Sequence, residues 1–257
     1  LTQMSATSVS RIVKELIENQ YIIEVGESKG NVGRRAIMLE VNPSGRLIMG
    51  VNIETDFLEI GLVDLNGKVQ HLTKEKIDKS TSPEVLLEKI SQKINGMKEE
   101  HEGLMSKIMG CGISIPGIVD YRKGKILQVP QLDWKNVEVQ QFLEKRINLK
   151  VCVENQVKAI LLSESLYGNA VGIENAACIY VGSGLGAAYM EGGELIRGVN
   201  NMAGEIGHTT INPTGVLCDC GRIGCLQTYI CSSALEKESG KPIQEIFSAK
   251  ENNKAWA

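Results

Sequence analysis

The spacing of apolar residues changes character along this chain, and each change marks a unit of structure. From Ser5 to Asn19 the apolar positions Val9, Ile12, Val13, Leu16 and Ile17 recur at three- and four-residue intervals, the period of one helix face, and Ser5 stands where a helix cap belongs. YIIEVGESKGNVGRRAIMLEV then reads as two short strands around a Gly-rich turn that carries Lys29, Arg34 and Arg35. After the turn-rich NPSGR the pattern becomes α/β. LIMGVNI and FLEIGLVDL read as strands, Asn66-Gly67 as a hairpin turn, and VQHLTKEKI as a third strand. Ser82-Pro83 opens a helix to about His101, the serine as cap and the proline in the first turn. Next come strand KIMGCGISI, a break at Pro116-Gly117, a helix near Val137 to Ile147, strand KVCVE and a helix from about Gln156 to Tyr167. Strands AACIYVG and LGAAYME begin a second lobe.

Composition narrows the classes. A net charge of -3 with 23% charged residues argues against a polybasic nucleic-acid scaffold and leaves room for a small local DNA reader. The apolar runs fall far short of the roughly 20 residues a membrane span requires, and the N-terminus lacks a basic stretch followed by an apolar one, so a cytoplasmic location with no membrane partner is expected. Of the seven cysteines, Cys111, Cys152 and Cys178 sit inside strand-like apolar runs, which suits reduced core residues better than a disulfide framework.

The first helix has a second face made of Thr7, Ser8, Ser10, Arg11 and Lys14. Short hydroxyls and long cations are the groups that reach base edges and phosphates when a helix enters a major groove, although a merely solvated face has the same composition. A helix followed by a hairpin suggests a winged helix, whose wing arginines Arg34 and Arg35 would approach a neighbouring minor groove. Residues 1–45 hold five Lys or Arg and five Glu, so the segment is not net basic. A complete helix-turn-helix needs helices before Leu1, and the chain is expected to begin inside a larger domain.

His208, Cys218, Cys220 and Cys225 have the spacing H-x9-C-x-C-x4-C. Thiolate and imidazole donors suit tetrahedral zinc, and three Cys with one His leave no open position, as in a structural site. Gly215, Gly221 and Gly224 supply the tight turns such spacing demands. Free thiols in a surface loop are the alternative, and they would be prone to oxidation. Cys231 lies beyond the cluster on an expected helix and reads as packing.

AGEIGHTTINPTGVLCDCGRIGCLQTY, together with GISIPGIVD, VENQVKAILLSESLYGNA and VGSGLGAAYMEGGELIRG, closely resembles the motifs of the ROK family of bacterial repressors and sugar kinases, over nearly the whole chain. The resemblance implies an actin-like, ribonuclease H-like fold of two α/β lobes around a cleft, with an N-terminal winged helix-turn-helix in the regulators. On that plan residues 1–45 form a partial winged helix, 46–152 the first lobe and 153–257 a second lobe with the zinc loop, the chain falling short of family members at both ends. It further implies that the four donors hold zinc beside a sugar pocket, that the second nitrogen of His208, Asn155 and Glu205 meet sugar hydroxyls, and that residues 114–117 form part of the cleft wall.

Departures from the family pattern separate its two activities. Family kinases carry Asp-x-Gly-Gly-Thr at the first phosphate loop; here the stretch is NIETD, with Asn52 for the acid and Glu54 and Thr55 where the glycines would be. Glu54 puts negative charge where backbone amides should approach phosphate. The kinase base is the Asp of Glu-Asn-Asp, and this chain reads Glu154-Asn155-Gln156; an amide can bond a hydroxyl but cannot take its proton. GSGLG at Gly182–Gly186 resembles the second phosphate motif, yet a turn between strands needs no nucleotide to explain it. The family position of Gln227 is usually Glu, so Gln156 and Gln227 are two acid-to-amide changes in one expected pocket, which suggests a ligand offering an acceptor or a negative charge, or weakened sensing. The expectation is a sugar-responsive, DNA-operator-binding repressor, a homodimer or dimer of dimers, without enzymatic activity. A residual ATP-dependent sugar kinase and a DNA-binding regulator controlled by a protein partner are the alternatives.

Overall fold

The computed structural model describes residues 4–27 and 36–250. The first predicted helix is α1 (Ala6–Glu18), capped by Ser5, whose hydroxyl accepts from the Ser8 N–H at 3.2 Å. It leads into an antiparallel pair, β1 (Ile22–Glu27) and β2 (Ile37–Val41). No residue of α1 is buried and the two strands are almost wholly exposed, as expected of a hairpin and one helix too small to enclose a core of their own. Thr7, Ser10 and Arg11 lie exposed on α1, whereas Ser8 is half-buried with its Oγ 2.9 Å from Ser5 Oγ. Lys29, Arg34 and Arg35 lie outside the described residues. A short joint ties this module to the body: Asn42 N–H donates to Tyr21 O, Leu65 N–H donates to Pro43 O, and the Arg46 guanidinium lies 4.9 Å from the Tyr21 ring centre.

The body begins with β3 (Leu47–Ile53), β4 (Phe57–Asp64), β5 (Val69–Lys76) and α2 (Pro83–Glu100), close to the bounds expected from periodicity. There follow β6 (Ile108–Ile115), a meander of β7 (Ile118–Asp120), β8 (Lys125–Val129) and β9 (Trp134–Val137), then α3 (Val139–Ile147) and β10 (Val151–Asn155). The large sheet has the order β10-β6-β3-β4-β5, antiparallel across β3, β4 and β5 and parallel where β6 and β10 join. Met49, Val51 and Ile53 of β3 alternate into a core completed by Leu86, Ile90 and Ile94 of α2 and Leu143 and Ile147 of α3. That is the period-2 face of a strand meeting the period-3.6 face of two helices.

The meander was not legible. A helix is expected from Val137, but Trp134–Val137 is a strand and the helix starts two residues later. Strands this short carry too few alternations to register, and left-handed backbone at Asp133 and Asn136 interrupts the run. Trp134 is nevertheless buried, its indole N–H donating to Thr81 O at 3.3 Å.

The remainder comprises α4 (Gln156–Tyr167), β11 (Ala176–Val181), β12 (Leu185–Glu191), β13 (Glu194–Leu195) and the short helices α5 (Gln227–Ile230), α6 (Ser232–Ser239) and α7 (Ile243–Lys250). Val157 and Leu161 of α4 pack on Ala188 and Met190 of the three-stranded sheet β11-β12-β13. The lobe boundary expected after residue 152 falls inside β10, which pairs with β6 through Asn155. Mixed sheets flanked by helices are thus the architecture. Among the described residues no helix is long and apolar enough to cross a membrane.

Candidate functional site

A cleft of about 160 Å³ opens where β10 passes into α4, and the loops after β6, β8, β11 and β13 converge on it. A water needs on the order of 10–15 Å³ on this measure, so the cleft has room for roughly ten heavy atoms of ligand. Asn155 and Gln156, Glu205 and His208, and Gln227, from three separate stretches of the sequence, all line it. Of the expected wall, Pro116 and Gly117 line the cleft, while Ile115 is fully buried and Ser114 Oγ donates to Asn52 Oδ1 at 3.0 Å.

Asn155 is the N-cap of α4. Its Oδ1 accepts from the N–H groups of Val157 and Lys158, and its Nδ2 donates to Gly117 O at 2.8 Å, so most of its bonding capacity holds helix to loop. Gln156 is buried and its Nε2 donates to Glu54 Oε1, also buried. Two of the residues that depart from the kinase pattern, Glu54 of the first phosphate loop and Gln156 at the position of the base, therefore touch each other. Burial pushes the Glu54 carboxyl above its ordinary range, and the Gln156 bond partly offsets this. Asn52 belongs to the same corner: its Nδ2 donates to Glu59 Oε2, and Glu59 is held below the ordinary carboxylate range chiefly by Lys74, 2.8 Å away. Tyr180, on the cleft wall, is raised by burial and by the charge of Glu54.

A second charged group flanks the cleft. Lys158, 2% exposed, donates from Nζ to Asn201 O at 3.1 Å; burial lowers its pKa, while Glu205 and Glu154 favour its charge. Burial raises the Glu205 carboxyl, and Lys158 opposes the rise. Glu154 pairs with Arg197, whose guanidinium stacks 3.6 Å from the Tyr121 ring centre. Sequence reasoning overlooked Lys158, Arg197, Tyr180 and Gln131 of the β8–β9 turn. A buried lysine inside an apolar helix was the one available signal, since an unpaired ammonium is costly there.

Beside the cleft the expected metal donors come together. The donor atoms of His208, Cys218, Cys220 and Cys225 lie within 4.8 Å of one another. Cys218 Sγ is 3.6 Å from His208 Nδ1, and Cys220 Sγ is 3.6 Å from Cys225 Sγ. A tetrahedron with zinc–sulfur bonds near 2.3 Å has edges of about 3.8 Å between sulfurs and slightly less from sulfur to nitrogen, so the donor set and these two spacings fit a tetrahedral thiophilic cation. Nδ1 faces the cluster, which leaves Nε2 free of it. The loop closes through Cys218 N–H to Arg222 O at 2.8 Å and through left-handed Gly221 and Gly224. At Gly224 an added Cβ would lie 1.6 Å from Asn212 O, while Gly215 serves by close approach to the Tyr229 hydroxyl. Burial pushes the Cys225 thiol up to about 12, and burial with Arg222 pushes His208 down, so the imidazole stays neutral as a ligand must be. Cys231 stays outside the cluster, buried, with its Sγ 3.2 Å from Ser233 Oγ.

Gln227 connects clasp and cleft. It is buried, and its Nε2 donates to Cys218 Sγ at 3.3 Å. One of the two amide N–H donors is thereby engaged by sulfur, and the side-chain oxygen lies toward the Gly184 turn of the cleft.

Comparison with known proteins places this geometry. A family model described as ROK family matches residues 48–256. The xylose repressor of Caldicellulosiruptor bescii is 33% identical over 239 residues, covering 91% of this chain and 59% of that protein. The DNA-binding transcriptional dual regulator NagC of Escherichia coli K12 is 29% identical over 239 residues, covering 92% of this chain and 58% of that protein. This chain therefore spans less than two thirds of the length of the curated relatives it matches. Among solved structures, a ROK family transcriptional regulator described as a homolog of the E. coli MLC protein aligns with a TM-score of 0.76 at 28% identity, covering 93% of this chain and 62% of that one. A ROK family glucokinase from Streptomyces griseus, in complex with glucose and AMPPNP, aligns with a TM-score of 0.69 at 30% identity, covering 80% of this chain and 63% of that one.

Proposed function

The chain belongs to the ROK family, and from that premise we propose that it is part of a sugar-responsive, DNA-binding transcriptional repressor acting in the cytoplasm, whose kinase-like lobes have lost phosphoryl transfer. One observation carries the choice between regulator and kinase. Where the family's kinases need a base and room for phosphate, Gln156 donates to a buried Glu54 carboxylate. An amide committed to that carboxylate takes no proton from a sugar hydroxyl, and a loss of the base alone costs roughly two to four orders of magnitude in rate. A carboxylate in the first phosphate loop also repels the nucleotide it would have to cradle.

In this reading a neutral sugar enters the cleft and bonds Glu205, the Nε2 of His208 and Gln227, with Asn155 holding the α4 N-terminus that shapes the floor. Zinc, held by His208, Cys218, Cys220 and Cys225, supplies structural cross-linking of the loop and fixes the His208 tautomer. The α1 face of Thr7, Ser10 and Arg11, with Ser8 beside the Ser5 cap, meets the operator as a winged helix in a homodimer, and Arg34 and Arg35, outside the described residues, add cations for the DNA. The joint at Tyr21, Asn42 and Arg46 couples that module to the first lobe, so ligand-dependent lobe closure shifts the spacing of two half-site readers. The ligand moves that equilibrium only by its differential affinity for the two states. The xylose repressor among its relatives supports a monosaccharide effector.

The test uses the full-length gene product. Its upstream DNA is expected to bind in preference to random duplex at near-physiological salt, with release by one member of a sugar panel. Absence of sequence preference refutes the repressor reading. ATP-dependent phosphorylation of any panel sugar, abolished by Glu205→Ala, establishes the kinase alternative; sequence-specific binding with no sugar bound favours control by a protein partner.

A further inference from the structure

We infer that Gln227 is a positioning residue whose amide is oriented by the metal clasp, so that the cleft sees its carbonyl oxygen and the state of the clasp is transmitted to the ligand. The inference rests on the metal assignment above. Nε2 donates to Cys218 Sγ at 3.3 Å from a buried position, out of competition with water. A metal-bound thiolate has no hydrogen to give, so only the N–H end of the amide is compatible with it; the reverse orientation sets lone pairs against lone pairs. The oxygen is thereby directed to the other side, next to the Gly-rich turn. A Cβ built on Gly184 would lie 3.8 Å from Gln227 Oε1 and 3.6 Å from Gln131 Nε2, and all three residues line the cleft.

Charge gives the amide its advantage over an acid. Three thiolates and one neutral imidazole around a divalent cation sum to about one negative charge. A neutral N–H donor relieves that charge at Cys218, whereas a carboxylate in the same place adds to it without a hydrogen to donate. The cleft consequently presents a neutral acceptor here, suited to a hydroxyl or N–H of an uncharged ligand. Loss of the metal frees the amide to rotate, which removes this preorganisation.

The experiment loads the full-length protein with zinc and competes it with a chelator, comparing wild type with Gln227→Glu and with Gln227→Met, which keeps length and lacks the donor. Zinc retention is expected to weaken roughly 10- to 100-fold in both, the usual consequence of removing a partner of a metal ligand. In the cobalt-substituted proteins the sulfur-to-metal charge-transfer bands are expected to shift between wild type and variants. A wild-type measurement guards against variants that fail to fold: with an NMR-active cadmium isotope bound, the Gln227 side-chain amide proton should show scalar coupling to the metal through Cys218. One bound zinc in wild type, with equal retention, unshifted bands and no coupling, overturns this inference alone. A wild type that takes up no metal overturns the metal assignment together with it.

Discussion

Gln156→Glu keeps length and shape and exchanges the N–H that faces Glu54 for a second carboxylate. The wild-type contact is a hydrogen bond to an ionisable group between two buried side chains, for which loss costs about 1.5–3 kcal/mol. Two full charges in near contact add up to roughly 4 kcal/mol at the effective dielectric of a partly buried site. The pair escapes much of that by sharing one proton, at about 1.4 kcal/mol for each pH unit separating the raised pKa from the solution. A net loss of about 2–4 kcal/mol near neutral pH follows. Glu54 already lies above its ordinary value, so its folded form binds the proton more tightly than the unfolded chain. Stability therefore falls as pH rises from the ordinary carboxylate range through the raised folded value, and the variant extends that fall to higher pH. Urea unfolding at about pH 7.5 and about pH 5.5 measures it, with a clearly smaller deficit expected at the lower pH. The double variant Glu54→Gln with Gln156→Glu restores one amide and one acid and should recover most of the loss. A single variant as stable as wild type, or a deficit independent of pH, refutes the account of this corner.

Zinc added to the proposed site at His208, Cys218, Cys220 and Cys225 should bind more weakly as pH falls, by at least ~10-fold in affinity per pH unit between about pH 8 and 6, because burial raises Cys218 and Cys225 and their thiols must give up protons to bind; a flat profile in chelator titrations counts against the assignment. Gly204 has φ +96° and an added Cβ would meet Ala187 O at 1.8 Å, so Gly204→Ala should cost roughly 2–4 kcal/mol of stability, read as a lowered denaturant midpoint; no shift would mean that the loop carrying Glu205 is not held against β12 as described. Arg197→Leu removes the partner of Glu154 and the stack on Tyr121 and should cost about 1–3 kcal/mol, both side chains of the pair being only partly exposed; an unchanged melting temperature would show the pair to be idle.

Much of this architecture is legible in one dimension because its elements satisfy local rules. The alternation of β3, the Ser82-Pro83 start of α2 and the apolar run of α4 from Gln156 each encode their own geometry, and observed bounds match expectation to within a residue or two. Where β7, β8 and β9 occur, strands of three to five residues are held by the large sheet and by buried Trp134, and no local signal announces them. The candidate site divides the same way. The donor spacing from His208 to Cys225 is chemical and short-range, so it could be read directly. The mutual contact of Glu54 and Gln156, 102 positions apart, could not.

By itself the sequence determined the α/β class, the family and the four donors of the clasp, because hydrophobic period, turn chemistry and ligand softness act over a few residues. Only the tertiary structure decided what each polar group in the cleft is free to do. Asn155 is largely committed to a helix cap and to Gly117, Gln156 to Glu54, and the N–H of Gln227 to Cys218. A side-chain amide has a fixed number of donors and acceptors, and which of them remain for a ligand depends on neighbours that folding brings from distant parts of the chain.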